Sequence, residues 1–264
     1  MTSSRQRVAD FWDEHLNAWL SGDEPRSPAL AGWQDSYRGT GHGEVDLSCY
    51  PDPYTGDLRG TSREPRMVVL GLNPGVGYRE LQGRNPLGEW SRRIAATSYS
   101  QCLDRIPHQN AAWGALHGKD SPYWTKMVNF ARRWCDDPTL DARDILNMEL
   151  YPWHSNGIHG SAITPPAALI DEFVWQPVSE TTPPQIFAFG ADWRRLCTAL
   201  GLEQIAWYGP GHCPLADPTK GRWNVVVYAM PSGQRAIVSW QLGSGSPPGT
   251  TRLPELRRIV AEHR

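Results

Sequence analysis

The sequence has few cysteines and no pattern of metal ligands. Its five cysteines are scattered along 264 residues without a Cys-x-x-Cys pair. This argues against a disulfide framework, a zinc site or an iron–sulfur cluster. We therefore expect reduced thiols in a cytoplasmic protein that holds no metal and needs no cofactor.

The sequence also lacks long apolar runs and a charge excess. No apolar segment approaches the roughly 20 residues that a membrane helix needs, and the N-terminus has no apolar signal region. Lys and Arg total 26 against 28 Asp and Glu, for a formal net charge of −2. Any nucleic-acid surface must therefore be local, because no overall basic field favours it. We expect no membrane partner and a monomer.

What is present is an alternation of strand and helix patterns after residue 66. The strands are expected at 67–72, 144–152, 185–190, 223–228 and 235–240, and the helices at 89–96, 121–135, 165–175, 192–200 and 253–263. This order predicts the α/β class, with a mainly parallel sheet and helices on both faces. Residues 1–66 are expected to form an amphipathic helix, over 5–21, and an irregular arm that packs on the core.

The most informative motif ends the first strand. The apolar run Met67–Leu72 stops in Gly-Leu-Asn-Pro-Gly at 71–75, and Pro74 and Gly75 force a turn. Asn73 is thereby presented at the carboxyl end of a buried strand, where open α/β sheets place their ligands. A turn without chemistry is the alternative, and the motif is not a phosphate-binding loop.

Two further strand ends carry polar groups. Asn147 interrupts an apolar strand, and either it fastens a neighbouring loop or its amide reads the edge of a planar heterocycle. His154 follows in Tyr151–Ser155, at the end of that strand. The segment Ser239–Pro248 leaves another strand with small residues that allow a phosphate or sugar to approach closely, or it is a flexible loop.

Taken together, these motifs resemble those of the uracil-DNA glycosylase superfamily. The Gly-Leu-Asn-Pro-Gly at 71–75 is most similar to the first motif of the mismatch-specific and single-strand-selective branches, which carry Asn there. Asn147 resembles the base-recognition Asn of the superfamily. The resemblance implies a three-layer α/β/α fold over 67–264, built on a central, mainly parallel four-stranded sheet.

The resemblance also implies a function. A monofunctional DNA glycosylase would hydrolyse the N-glycosidic bond of a flipped uracil-like or modified pyrimidine base, in DNA repair or in defence against modified foreign DNA. Asn73 would hold the attacking water, Asn147 the base edge, and Tyr78 or Trp90 would stack on the base. The implied catalytic residues are Asn73, Gly71 and Trp240, and the implied substrate contacts are Leu72, Pro74, Gly75, Tyr78, Asn147 and His154. The implied DNA contacts are Gln241, Gly243, Ser244 and Ser246. Phosphate contacts are also considered at Arg92-Arg93 and Arg132-Arg133.

The chain departs from the superfamily pattern at two places. Gly75 stands where the strictly uracil-specific branch has a Tyr that excludes groups on base C5, so the pocket is expected to admit 5-substituted pyrimidines. The last motif, usually His-Pro-Ser or Asn-Pro-Ser, has two candidates, Met230–Gly233 and Trp240–Ser246. The second is favoured by its position before the last helix, and neither has a His in the usual place.

Two other functions stay open. One is a non-catalytic nucleic-acid-binding protein of the same fold. The other is an unrelated α/β hydrolytic enzyme that uses His154 or His212 with a nearby carboxylate. The second is disfavoured because the chain has neither a Gly-x-Ser-x-Gly nucleophile turn nor metal-type His/Asp spacing.

Overall fold

The computed structural model describes residues 2–22, 28–158, 163–216, 222–241 and 245–263. The strands in these ranges are β1 (Val45–Asp46), β2 (Tyr54–Thr55), β3 (Met67–Gly71), β4 (Ile145–Glu149), β5 (His154–Ser155), β6 (Gln185–Phe189), β7 (Glu203–Tyr208), β8 (Asn224–Ala229) and β9 (Arg235–Trp240). The helices are α1 (Ser4–Ser21), α2 (Pro28–Gln34), α3 (Arg79–Gln82), α4 (Glu89–Ala96), α5 (Ala111–His117), α6 (Pro122–Trp134), α7 (Ala167–Ile170), α8 (Gln176–Ser179), α9 (Ala191–Ala199) and α10 (Leu253–Glu262), with a π-helical segment (Asp171–Trp175) between α7 and α8.

The centre of the fold is a seven-stranded mixed sheet in the order β2-β4-β3-β6-β9-β8-β7. Four neighbouring strands, β4, β3, β6 and β9, run parallel, while β2, β8 and β7 are antiparallel to their neighbours. The predicted α/β class is confirmed. The sheet nevertheless has seven strands of mixed direction rather than the four expected, because an arm segment extends one edge and a β7–β8 pair extends the other.

Helices cover both faces of this sheet. Along β3, Val68 and Leu70 belong to one apolar cluster, with side chains of α1, α4 and α9. Met67 and Val69 belong to the other cluster, with side chains of α6 and α10. Central parallel strands buried on both faces read as continuous apolar runs, which is why Met67–Leu72 shows no polar alternation.

The predicted helices lie close to their expected bounds, with one exception, whereas α3, α5 and the helix α2, which lies in the arm expected to be irregular, were not predicted. The helix expected at 165–175 is instead a composite of α7, the π-helical segment and α8. The strand expected at 144–152 is shorter and spans Ile145–Glu149. Before it, Ala142–Asp144 form a 3₁₀ turn with a capping box, in which the Asp141 carboxylate accepts from the Arg143 amide and the Asp144 carboxylate accepts from the Asp141 amide.

The arm before β3 contributes to the sheet. Its strand β2 pairs antiparallel with β4, so that Thr55 lies opposite Asn147. The rings of Tyr50 and Tyr54 are fully buried. The division of the chain at residue 66 stays a prediction. Within the described ranges, no helix has the length and apolarity needed to cross a membrane.

Candidate functional site

The candidate site is a cavity of about 420 Å³ at the carboxyl ends of β3 and β4. Loop 72–76 after β3, the strand β4, the start of α6 and Asp52 from the arm all line it. Because β3 and β4 are parallel neighbours, with Gly71 opposite Glu149, the side chains that follow each strand meet at one edge. The fold therefore brings Asn73 and Asn147 to the same cavity.

The Asn73 loop is held against the segment that follows β4. The Tyr151 amide donates to the Leu72 carbonyl (2.9 Å), and the Ser155 amide donates to the Gly75 carbonyl (3.0 Å). Asn73 Nδ2 donates to the Ser155 carbonyl at 3.3 Å. Because the NH₂ group of Asn73 is directed at the Ser155 carbonyl, its Oδ1 atom can accept a hydrogen bond from a water in the cavity.

Asn147 is buried and oriented by two partners. Its Oδ1 accepts a hydrogen bond from the Tyr123 hydroxyl at 3.2 Å. Its Nδ2 donates to Glu149 Oε1 at 2.5 Å. A buried amide whose orientation is fixed in this way can present its remaining donor capacity in one direction only.

Glu149 is a cavity-lining side chain that the sequence analysis missed. Glu149 is only 4% exposed, and it lines the cavity. Burial raises its pKa from 4.5 to about 8, while the Asn147 bond opposes the rise and the Asp52 charge adds to it. Asn147 and Glu149 are two apart on a strand and so share a face, a signal that could have revealed the pair.

Gly71 makes room for this carboxyl group. A Cβ atom at Gly71 would lie 2.4 Å from Glu149 Oε2. The Gly71 carbonyl already accepts hydrogen bonds from the Leu150 amide (3.0 Å) and from Trp193 Nε1 (3.1 Å). The backbone oxygen of Gly71 is therefore engaged in the core, and the absence of a side chain leaves space for Glu149; the expected catalytic role of Gly71 stays a prediction.

His154 lines the cavity as predicted but is engaged by its surroundings. Its Nδ1 lies 3.1 Å from the Gly75 carbonyl oxygen, and its Nε2 lies 3.0 Å from Gln82 Nε2. Burial lowers its pKa. A neutral ring that donates from Nδ1 and accepts at Nε2 satisfies both contacts, so His154 holds the Pro74–Gly75 turn in place.

Aromatic rings form one wall of the cavity. The rings of Trp90 and Trp113 are nearly parallel, 16° apart with centroids separated by 6.3 Å. Tyr78 meets Trp113 edge-on at 5.2 Å. All three line the cavity with Leu72 and Pro74. Such a wall suits a flat heterocyclic ligand.

A second cavity of about 350 Å³ lies at the carboxyl end of β9. Trp240, Gln241 and Ser246 line it together with the basic side chains Lys126, Arg133 and Arg252. Trp240 thus lines a different cavity from Asn73, and its expected catalytic role stays a prediction. Its ring packs on the apolar cluster of α1, α4 and α9, with its centroid 6.0 Å from that of Trp207.

The two cavities are adjacent. Gly245 lines the first and Ser246 lines the second, and α6 contributes to both. The expected DNA contacts Gly243 and Ser244 lie outside the described residues. The alternative last motif, Met230–Gly233, forms the turn between β8 and β9, at the opposite end of β9 from both cavities.

Of the two basic pairs considered for phosphate contacts, three side chains bind other groups of the protein. Arg93 forms an ion pair with Glu89 at 2.6 Å, and Arg92 donates to the Leu87 carbonyl at 2.5 Å. Arg132 donates to the Leu140 carbonyl at 2.7 Å. Of the four, Arg133 is the one that lines the second cavity.

A histidine-centred or metal-centred site finds little support. His212 stacks on Trp207 with centroids 3.5 Å apart, away from the Asn73 cavity. In the part of the chain that the structure describes, no three His, Cys, Asp or Glu side chains are grouped to hold a metal ion.

Comparisons with protein-family models, curated proteins and solved structures find no match for this chain. The likeness to the uracil-DNA glycosylase superfamily therefore rests on the motifs at 71–75 and at Asn147. The site supports chemistry on a flat polar ligand, because it combines two oriented amides, a buried carboxyl group and an aromatic wall.

Proposed function

We propose that this protein is a monofunctional DNA glycosylase with a uracil-DNA glycosylase-like fold. It would hydrolyse the N-glycosidic bond of a flipped uracil-like or modified pyrimidine base and leave an abasic site. The observation that carries the proposal is the meeting of Asn73, two residues past the end of β3, and Asn147, within the parallel neighbour β4, in one cavity. The four central parallel strands would correspond to the core sheet of that fold.

Asn73 would position the attacking water through Oδ1. An amide is a poor base, so bond breaking must come first, through an oxocarbenium-like sugar and a departing base that keeps the electron pair. Asn147 would stabilise the negative charge that develops on the base. The fixed orientation of both amides means that little reorganisation is needed during the reaction.

The cavities suit a flipped nucleotide and its backbone. The first is large enough for a base, and its aromatic wall supplies stacking. The second, beside it, supplies Lys126, Arg133 and Arg252. Basic side chains next to a base pocket can bind the flanking phosphates, which gives a local positive surface to a chain of net charge −2.

A strand-cleavage assay tests this function. Oligonucleotides that carry uracil, a thymine mismatch, hypoxanthine, or hydroxymethylated or glucosylated cytosine are incubated with the protein and then treated with alkali. We expect cleavage of at least one substrate, at a rate proportional to protein concentration. Asn73→Ala, purified in the same way, controls for contaminating glycosylases, and equal cleavage by both proteins would contradict the proposal.

The second candidate is a non-catalytic nucleic-acid-binding protein of the same fold. It is favoured by one observation, the engagement of both His154 nitrogens, which leaves this ring unavailable as an acid or base. Specific binding of the panel oligonucleotides without cleavage of any of them would establish this candidate. The biological setting, repair or defence, would then follow from the base that is bound.

Gly75→Tyr should narrow the pocket to unsubstituted bases. Gly75 has φ +79°, and no atom lies within 4 Å of a Cβ built there, so a Cβ meets no neighbour but the backbone is strained by about 1–2 kcal/mol. We expect cleavage of 5-substituted pyrimidines to fall at least tenfold more than cleavage of plain uracil. Gly75→Ala carries the same strain without the ring and should not discriminate. An equal loss on both substrates in Gly75→Tyr would contradict the open-pocket explanation.

A further inference from the structure

Two buried polar atoms of residues that line the candidate site, Trp90 Nε1 and Glu149 Oε2, have no hydrogen-bond partner among the described residues. Glu149 Oε2 is buried and has no hydrogen-bond partner among the described residues, although its carboxyl group belongs to a residue that lines the cavity. An unsatisfied buried polar atom costs about 1–3 kcal/mol. A ligand that supplies the missing partner recovers this free energy on binding.

We propose that Glu149 contacts the substrate directly, by donating a hydrogen bond from Oε2 to an acceptor atom of the base in the cavity. This inference rests on the proposed function. In this role, Glu149 selects a base according to the hydrogen-bond acceptor atoms that the base presents. Neither Asn73 nor Asn147 fills that role. A base that presents a ring nitrogen or carbonyl oxygen at this point is favoured, and one that presents an N–H group is disfavoured.

The neighbours of Glu149 determine which oxygen carries the hydrogen. Oε1 accepts the Asn147 Nδ2 hydrogen bond at 2.5 Å, so Oε1 is the carbonyl-type oxygen. The hydrogen of the neutral acid is then on Oε2, the atom without a partner. Gly71 is required for this placement, because any larger residue would collide with Oε2.

The surroundings favour the neutral acid. The groups that face Glu149 are Asn147 on its own strand, Asp52 from the arm and the Tyr123 hydroxyl from α6, with neutral His154 lining the same cavity. The Asp52 charge opposes ionisation, and burial opposes it more strongly, which together raise the pKa to about 8. Below this pH Oε2 donates. Above it, both oxygens are acceptors and repel a base acceptor.

Base-dependent binding tests the proposal without requiring turnover. The probes are oligonucleotides with one 2′-fluoroarabinosyl uracil or one 2′-fluoroarabinosyl cytosine, whose fluorine resists glycosidic cleavage, and a matched oligonucleotide with an abasic analogue. The quantity measured is the affinity ratio between base-bearing and abasic probes, from pH 6.5 to 9. The cytosine ring does not titrate in this range and so isolates the protein group.

We expect the ratio for the wild type to fall about tenfold by pH 9, because a group with a pKa near 8 is then about nine-tenths ionised. Glu149→Gln keeps a hydrogen-bond donor at every pH, so its ratio should change less than twofold. Glu149→Ala should have a low affinity ratio between base-bearing and abasic probes at every pH from 6.5 to 9. A flat wild-type ratio, or a Gln variant that follows the wild type, would overturn the role of Glu149.

The proposed function fails in a different way. If neither probe binds more tightly than the abasic oligonucleotide at pH 6.5, the cavity is not a base pocket, and the glycosylase proposal falls together with the Glu149 role. If the wild type binds the base-bearing probes more tightly than the abasic one, but with a ratio that does not change between pH 6.5 and 9, the pocket is retained and only the Glu149 role is overturned.

Discussion

Replacing Asn73 with Ala should lower the single-turnover rate of base release by two to four orders of magnitude. Asn73 presents Oδ1 to the cavity because its Nδ2 is bound to the Ser155 carbonyl at 3.3 Å. Losing the group that positions a reactant commonly costs a factor of this size. The rate should be measured with enzyme in excess over an oligonucleotide that the wild type cleaves, so that product release does not limit the rate.

DNA affinity should change less than threefold in the same variant, because Asn73 is expected to hold water rather than phosphate. Asn129→Ala is the matched control, since it makes the same chemical change on α6, at the second cavity. That variant should keep the wild-type rate of base release when DNA is saturating. A normal rate in Asn73→Ala would mean that another group positions the water.

Replacing Arg105 with Leu should lower the free energy of unfolding by about 3–5 kcal/mol. Arg105 is 1% exposed and donates to the carbonyls of Cys102 (2.9 Å) and Tyr54 (2.5 Å). Its Nε lies 3.6 Å from Asp52 Oδ1, and its guanidinium carbon lies 3.8 Å from the Tyr99 ring centroid. Removing the cation leaves the Asp52 charge uncompensated beside the cavity.

Denaturant unfolding at pH 7 measures this change. Arg143→Leu is the control, because Arg143 also pairs with an Asp but is 64% exposed. Exposed pairs contribute about 1 kcal/mol or less, so this variant should stay near the wild type. The double variant Arg105→Leu with Asp52→Asn should be more stable than Arg105→Leu alone, since it removes the uncompensated charge. A loss below 1 kcal/mol in Arg105→Leu would show that this charge is hydrated.

Much of the architecture was predictable because its determinants are local. Neighbouring residues alone define the apolar run of β3, the helical periodicity of α6 and the turn at Met230–Gly233. The edge strand β7 was missed, because its side chains are mostly half-exposed and carry no apolar alternation. Strand β2 was missed because two residues are too few to show any periodicity, and only its pairing with β4 makes it a strand.

The two asparagines of the cavity could be singled out from the sequence. Asn73 and Asn147 stood out because each breaks an apolar context, and the cavity contains both. Trp240 could not be placed, since the face to which it points depends on the register of β9 within the sheet. Asn147 and Glu149 share a strand face, but nothing in the local sequence shows that the carboxyl group is buried.

By itself, the sequence determined the α/β class, the longer helices, Asn73 after one strand and Asn147 within another, because periodicity and turn chemistry act over a few residues. The tertiary structure alone decided the seven-stranded order and the separation of the two cavities. It also decided the environment of Glu149, whose pKa near 8 comes from burial and from the Asp52 charge. Those effects depend on segments distant in the chain, and only the folded sheet brings them into contact.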